Sequence, residues 1–262
     1  PGIWGEPKDP AEARQVLHRA LDLGVNFIDT ADAYGPDVSE RIIAQTLAPY
    51  PSGLVIATKG GLLRPESSQW VPDGRPQHLR EACEGSLKRL KLARIDLYQL
   101  HHPDPKVPLE DSIGELARLR QEGKIRHIGV SNFSTDELAR ARRIVPIVSV
   151  QNRYNLADRG SEDVLAVCTR EKLAFIPWAP LASGSAAKLE GAAPANERAA
   201  GKALEQVAAT HGATVMQVAI AWLLARSPVM LPIPGTSSVA HLEEDLAAAK
   251  LQLTASELEL LG

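Results

Sequence analysis

The sequence predicts an α/β fold of the (β/α)8 TIM-barrel type, and three observations predict it. Short apolar runs alternate with helical stretches along the whole 262-residue chain, the pattern of a parallel sheet with helices outside it. Nearly every run stops at a residue able to do chemistry: Asp29, Lys59, His101, Ser131-Asn132, Gln151, Trp178 and Gly235-Thr236-Ser237-Ser238. In a closed parallel barrel all strand C-termini face one rim, where reactions take place. Finally, no G-x-G-x-x-G follows any strand, and the marked residues do not gather at one switch point, which argues against an open doubly wound sheet.

The elements follow in order. Asp9-Pro10 opens a helix, with Asp as cap and Pro at the first helical position; its apolar stripe runs through Val16, Leu17, Ala20 and Leu21, and Gly24 stops it. The strand Val25–Ile28 leads into Asp29, and a helix from Ser39 is halted by Pro49 and Pro51. Strand Leu54–Thr58 ends in Lys59, and a polar loop to Pro76 carries Trp70. Helix His78–Leu92, strand Ile95–Leu100, helix Leu109–Glu122, strand Ile125–Val130, helix Thr135–Arg143, strand Ile147–Val150, helix Glu162–Glu171 and strand Leu173–Ile176 continue the alternation. Ala179 to Asn196 has no periodicity and reads as a mobile flap. Helices at Ala199–His211 and Thr214–Ala225, a strand Val229–Ile233, a helix from Val239 to Lys250 and a short helix Ala255–Leu261 complete the chain. These are seven strands. An eighth is expected ahead of Pro1, and residues 1–262 read as one barrel domain.

Composition narrows the function. A formal net charge of −3 with interspersed signs gives no basic surface for nucleic acid. No apolar run is long enough to span a bilayer, and no signal peptide is expected. Cys83 and Cys168 lack metal-ligand spacing and read as reduced packing residues of a cytoplasmic protein. The expected partner is a small carbonyl substrate, with the chain a monomer or weak homo-oligomer.

The strand ends divide into two kinds. The first half supplies ionisable groups. Tyrosine is a weak acid at neutral pH, with an ordinary pKa of about 10. A lysine cation beside Tyr34 stabilises its phenolate, and Asp29 would hold Lys59 in place and charged. His101 can orient a substrate oxygen. Together these groups suit protonation of an oxygen that gains negative charge, as when hydride adds to a carbonyl. No side chain supplies a hydride, so a cofactor must. The second half suits one: Trp178 for stacking on a nicotinamide, Ser131, Asn132 and Gln151 for its carboxamide, and the Gly235–Ser238 turn at a helix start for a phosphate. Taken singly, each of these residues is as easily a cap, a turn or a packing residue.

Several motifs resemble those of the aldo-keto reductase family. Phe27-Ile28-Asp29-Thr30-Ala31 with Tyr34-Gly35, Ala57-Thr58-Lys59, and Asp96-Leu97-Tyr98-Gln99-Leu100-His101 resemble its catalytic motifs. Gly129-Val130-Ser131-Asn132, Val150-Gln151, Pro177-Trp178-Ala179-Pro180-Leu181 and Ile233-Pro234-Gly235-Thr236 resemble its cofactor motifs. The resemblance implies a (β/α)8 barrel that reduces aldehydes and ketones with NADPH, NADH being the alternative. It implies Tyr34 as general acid, Lys59 and Asp29 as its tuning pair, and His101 as carbonyl orienter. It places Ser131, Asn132, Gln151, Trp178, Ala179, Leu181, Ser183, Gly235, Thr236, Ser237, Ser238, His241, Glu244 and Asp245 around the cofactor. Trp4 and Trp70 would line the substrate mouth. Three departures from the family pattern matter: the opening strand and the hairpin before it, usual in the family, are not found ahead of the first helix; Trp178 stands where many relatives have tyrosine; and Gly235 and His241 stand where many carry Lys and Arg against the 2′-phosphate. The short stretch after Leu253 suggests a broad pocket for small or medium aldehydes. Two other readings stay open: a Schiff-base lyase using Lys59, and a slow cofactor-binding subunit resembling the potassium-channel β-subunits of the same family.

Overall fold

The computed structural model describes residues 4–181 and 195–262, with backbone alone for 195–200. Ser183 and most of the expected 179–196 flap lie outside the described residues. The chain divides into two compact units, residues 1–150 with 237–239, and 151–236 with 240–262.

The first unit runs α1 (Pro10–Asp22), β1 (Phe27–Asp29), α2 (Val38–Leu47), β2 (Val55–Gly60), β3 (Leu62–Leu63), β4 (Val71–Pro72), α3 (Pro76–Leu90), β5 (Ile95–Leu100), α4 (Leu109–Gln121), β6 (Ile125–Ser131), α5 (Thr135–Arg142) and the start of β7 (Ile147–Arg153). The expected cap is present: Asp9 Oδ1 accepts from the Ala11 and Glu12 amides at 2.8 and 2.9 Å, with Pro10 following. β1, β2, β5 and β6 are parallel neighbours in that order. Ile43, Leu47, Leu54, Ile56 and Leu90 form a buried cluster, with Leu17, Leu21 and Ile28 packed against it. The apolar stripes of the helices are thus spent on the sheet, as the alternation requires.

The stretch after Gly61 is not the plain loop expected. It forms an antiparallel hairpin, β3 with β4, in the register Leu62↔Pro72 and Leu63↔Val71. Buried Asp104 anchors its base by accepting from the Gly74 amide at 3.0 Å, and Ser112 Oγ donates to the Gly74 carbonyl at 2.7 Å.

The second unit takes up the end of β7 and continues with α6 (Glu162–Glu171), β8 (Ala174–Trp178), α7 (Ala195–His211), α8 (Val215–Arg226), most of α9 (Val239–Ala247) and α10 (Ala255–Leu261). The strand expected at Val229–Ile233 shrinks to one parallel bridge, Phe175↔Met230. The Phe175 amide donates to the Val229 carbonyl at 2.9 Å, and the Leu231 amide donates to Phe175 at 2.8 Å. Pairing stops there because Pro232 and Pro234 have no N–H to continue the ladder. The expected helix to Lys250 tightens into a 3-10 turn over Ala248–Lys250. Cys83 and Cys168 are buried thiols. Among the described residues no single helix is long and apolar enough to cross a membrane.

Candidate active site

Parallel register sets the centre of the first unit. Asp29, the last residue of β1, lies opposite Ala57, and Lys59 lies opposite Gln99. Side chains two residues apart share a face of a strand, so Lys59 follows Ala57 on one face, and Gln99 precedes His101 on the same face of β5. Gly129, beside Gln99 in the register, leaves room for it: a Cβ there would sit 2.3 Å from Ser149 Oγ and 2.9 Å from Gln99 Cγ.

The Lys59 ammonium is fully buried and reaches three acceptors: Asp29 Oδ1 at 2.5 Å, the Thr30 carbonyl at 2.9 Å and Tyr34 Oη at 3.4 Å. Three donors meeting three acceptors is what a buried ammonium needs. Burial pulls the Lys59 pKa down. Asp29 and Tyr34 outweigh that by charge and hydrogen bonding, and hold it above its ordinary value. Gln99 Nε2 donates to Asp29 Oδ2 at 3.1 Å and fixes the carboxylate from its other side.

Tyr34 is presented by a tight turn. Its amide donates to Ala31 at 3.1 Å, and the Asp32 amide donates to the Lys59 carbonyl at 3.2 Å, tying the turn to β2. Gly35 is obligatory there: its φ is +109°, and a Cβ would lie 2.4 Å from Val38 Cβ. The Tyr34, His101 and Trp70 rings meet edge-on, with centroids 5.8 Å (Tyr34–His101), 6.4 Å (Tyr34–Trp70) and 6.0 Å (Trp70–His101) apart. His101 is buried. Burial, then the Lys59, His102 and Arg64 charges, hold its pKa well below the ordinary value, so the ring is neutral at physiological pH. Asn132, in the left-handed region at φ +61°, donates from Nδ2 to the His101 carbonyl at 3.1 Å and to Ser131 Oγ at 3.1 Å. Four catalytic candidates, Trp70 and the Ser131-Asn132 pair are therefore one cluster. Trp4 stands at its border, where its backbone bridges Gly35.

Glu40, Gln99 and Arg64 belong to this region and were not among the sequence candidates. Glu40, with no exposed surface, accepts from Thr58 Oγ1 at 2.6 Å and from Arg89 Nε at 2.6 Å, joining α2, β2 and α3 behind Lys59. An acid on the inward stripe of α2 was the available signal. For Gln99 the signal was its place two residues before His101.

Asp32 in the Tyr34 turn is partly exposed, yet its Oδ1 is covered and has no hydrogen-bond partner among the described residues. Burial, then the Glu40 charge, pushes its pKa up to about 8, against the opposing pull of Arg89. A carboxyl whose folded pKa exceeds its unfolded value of 3.8 binds its proton more tightly when folded. Its stabilisation is complete below pH 4 and is lost as pH rises towards 8. Asp32→Asn should therefore flatten the fall in unfolding free energy between pH 5 and 8, by on the order of 2 kcal/mol once partial exposure is discounted. Urea titrations at the two pH values measure it; equal slopes in both proteins would remove Asp32 from the account.

In the second unit Gln151 is buried and Trp178 closes β8. The Tyr154 amide donates to the Trp178 carbonyl at 3.4 Å. Ala179, at φ +53°, has its carbonyl bonded by Asn155 Nδ2 at 3.0 Å, and Leu181 is partly buried. Gly235 is exposed and Thr236 partly exposed, while Ser237 and Ser238 group with the first unit. His241, Glu244 and Asp245 share α9. Glu244 Oε1 accepts from Thr214 Oγ1 at 2.5 Å. Asp245 is buried, and burial together with Glu244 pushes its pKa up to about 6 against the pull of His241.

Comparison with known proteins settles the kinship. The family model described as "Aldo/keto reductase family" matches residues 2–261. The chain belongs to the aldo/keto reductase family. An uncharacterized oxidoreductase of Schizosaccharomyces pombe is 48% identical over 253 residues, covering 97% of this chain and 79% of the relative. Pyridoxine 4-dehydrogenase of Escherichia coli is 42% identical over 267 residues, covering 100% and 89%. The solved aldo-keto reductase from Klebsiella pneumoniae in complex with NADPH superposes with a TM-score of 0.81 at 27% identity, over 99% of this chain and 88% of that one. This aldo-keto reductase thus has the α/β fold of the (β/α)8 TIM-barrel class, with β1, β2, β5 and β6 parallel as read from the sequence. It is an NAD(P)H-dependent oxidoreductase working between carbonyl compounds and alcohols.

Proposed function

We propose that this chain is one barrel domain that reduces aldehydes and ketones to alcohols with NADPH, Tyr34 being the general acid. The observation that carries the reading is the Lys59 ammonium held between Asp29 and Tyr34 Oη. A nicotinamide nucleotide, when bound, supplies the hydride. As charge develops on the carbonyl oxygen, Tyr34 gives it the phenolic proton, and the phenolate left behind lies against the Lys59 cation. Neutral His101 orients the carbonyl oxygen by hydrogen bonding. Trp70 and Trp4 border the approach.

The buried polar groups at the strand ends suit a carboxamide. Ser131 and Gln151 are each almost wholly covered, and both offer donor and acceptor atoms. Asn132 joins Ser131 in this role, Trp178 and Ala179 supply the stacking face, and Leu181 the cover. Thr236, Ser237, Ser238 and His241, at the Gly235 turn into α9, take the phosphate end, with Glu244 and Asp245 for the adenine. Lys59 argues against Schiff-base chemistry, which needs a lysine whose pKa is lowered, whereas its own is raised.

Cofactor choice turns on His241. His241→Arg should tighten NADPH by about 10-fold and leave NADH nearly unchanged, since a fixed guanidinium grips a 2′-phosphate. Tryptophan fluorescence titrated with both nucleotides reads it directly, and equal tightening would take His241 out of the 2′-phosphate site.

A further inference from the structure

The β3–β4 hairpin holds a cation that the reduction chemistry does not use. Continuing the register Leu62↔Pro72, Leu63↔Val71 brings Arg64 opposite Trp70. The Arg64 guanidinium lies 3.7 Å from the Trp70 ring centroid and 5.2 Å from that of Trp4. Its side chain lines a cleft of about 430 Å³ with Leu62, Leu63, Pro65, Val71 and Asp32. The Trp70 ring also touches Tyr34 and His101, so one aromatic ring separates the guanidinium from the reaction centre.

Stacking satisfies the π face of a guanidinium, whereas its N–H groups lie in the plane and need acceptors at the edges. Arg64 is 8% exposed, and only Nη2 has an acceptor, the Ser67 carbonyl. Nε and Nη1 are covered and have no acceptor among the described residues. The plane has two forked edges, Nε with Nη2 and Nη1 with Nη2. Whichever hydrogen Nη2 spends on Ser67, one fork keeps both donors. No carboxylate among the described residues pairs with Arg64: Asp32 in the same cleft holds its proton up to about pH 8, and Asp37, which also lines the cleft, is paired with Arg89 Nη1 at 3.2 Å. Such a cation has given up water without gaining a counter-charge. A two-oxygen anion with planar geometry matches the open fork.

We propose that Arg64 recognises a carboxylate carried by the carbonyl substrate, which selects aldehydes bearing an acid group about one aromatic ring's width from the carbonyl. This rests on the reading of Tyr34 and His101 as the reaction centre. The two nitrogens are covered in this conformation, so the carboxylate reaches them as Trp4 or Trp70 swings aside. Trp4 and Trp70 are each 40% exposed.

The test compares 4-carboxybenzaldehyde with methyl 4-formylbenzoate at pH 7 under saturating NADPH. The ester withdraws electrons more strongly and is intrinsically the easier to reduce, so a preference for the acid is not electronic. The acid should be favoured by at least about 10-fold in kcat/KM, chiefly through KM. Arg64→Gln should bring the ratio to about one or below, and Arg64→Lys, which keeps the charge without the fork, should lie between. Equal or better use of the ester by the wild type, or a ratio unchanged in Arg64→Gln, overturns the proposal. A second readout needs neither turnover nor a variant: tryptophan fluorescence titrated with sodium benzoate and, separately, with neutral benzamide. A response to benzoate that exceeds that to benzamide supports Arg64 even if no aldehyde is reduced, in which case the reduction reading alone has failed. Matching responses overturn it.

Discussion

Tyr34→Phe is expected to lower kcat/KM for carbonyl reduction by about 10²- to 10⁴-fold, the range of a positioned general acid. NADPH affinity should stay within about 2-fold of the parent. The ring remains in place against His101 and Trp70, so packing at 5.8 and 6.4 Å is kept and only the proton is removed. Steady-state kinetics with a generic aldehyde, beside a fluorescence titration of the nucleotide, separates the two effects. Near-normal turnover would show that the proton comes from elsewhere. A parallel loss of nucleotide binding would show that the hydroxyl is structural.

Lys59→Met is the second large effect, and it acts on stability as well as rate. The side chain is about the same length and has no exposed surface. Losing its charge leaves the Asp29 carboxylate, 4% exposed, with Gln99 Nε2 still donating to Oδ2 but without the lysine cation at Oδ1, and leaves the Thr30 carbonyl without its ammonium. Breaking a buried pair from one side costs about 3–5 kcal/mol, and turnover should fall at least as far as in Tyr34→Phe. The double variant Lys59→Met with Asp29→Asn should regain much of the stability and none of the activity. Urea unfolding of the three proteins measures this. A loss under 1 kcal/mol in Lys59→Met would mean that the pair does not hold the site together, and recovery of turnover in the double variant would remove Lys59 from the chemistry.

The same pair shows what can be read from a one-dimensional chain. Asp29, Lys59 and His101 each end a buried apolar run, and a parallel sheet brings strand ends to one edge whatever the register. Tyr34 was legible because a Gly follows it, and the structure gives that Gly a φ of +109°. The length of β2 was less legible: it runs to Gly60, past the lysine, because the ladder to β5 continues through Gly60↔Leu100. Apolar residues at Val229–Ile233 suggested a full strand, yet hydrogen-bond donors decide where a ladder ends, and Pro232 removes one.

The order of the strands in the sheet came only from the structure, whereas the alternation that places ionisable groups at one edge and the Asp9 helix cap were set by local pattern, which also picked out the four catalytic candidates. Period, caps and breakers act over a few residues, so the sequence alone determined them. The remainder was decided only by tertiary structure. Gln99 clasps Asp29 across 70 positions of chain, Glu40 is buried because Arg89 and Thr58 arrive from other elements, and Arg64 loses its water because Trp4 and Trp70 close over it. Burial and pairing of a charge depend on which distant groups come within reach, and no window along the chain holds that information.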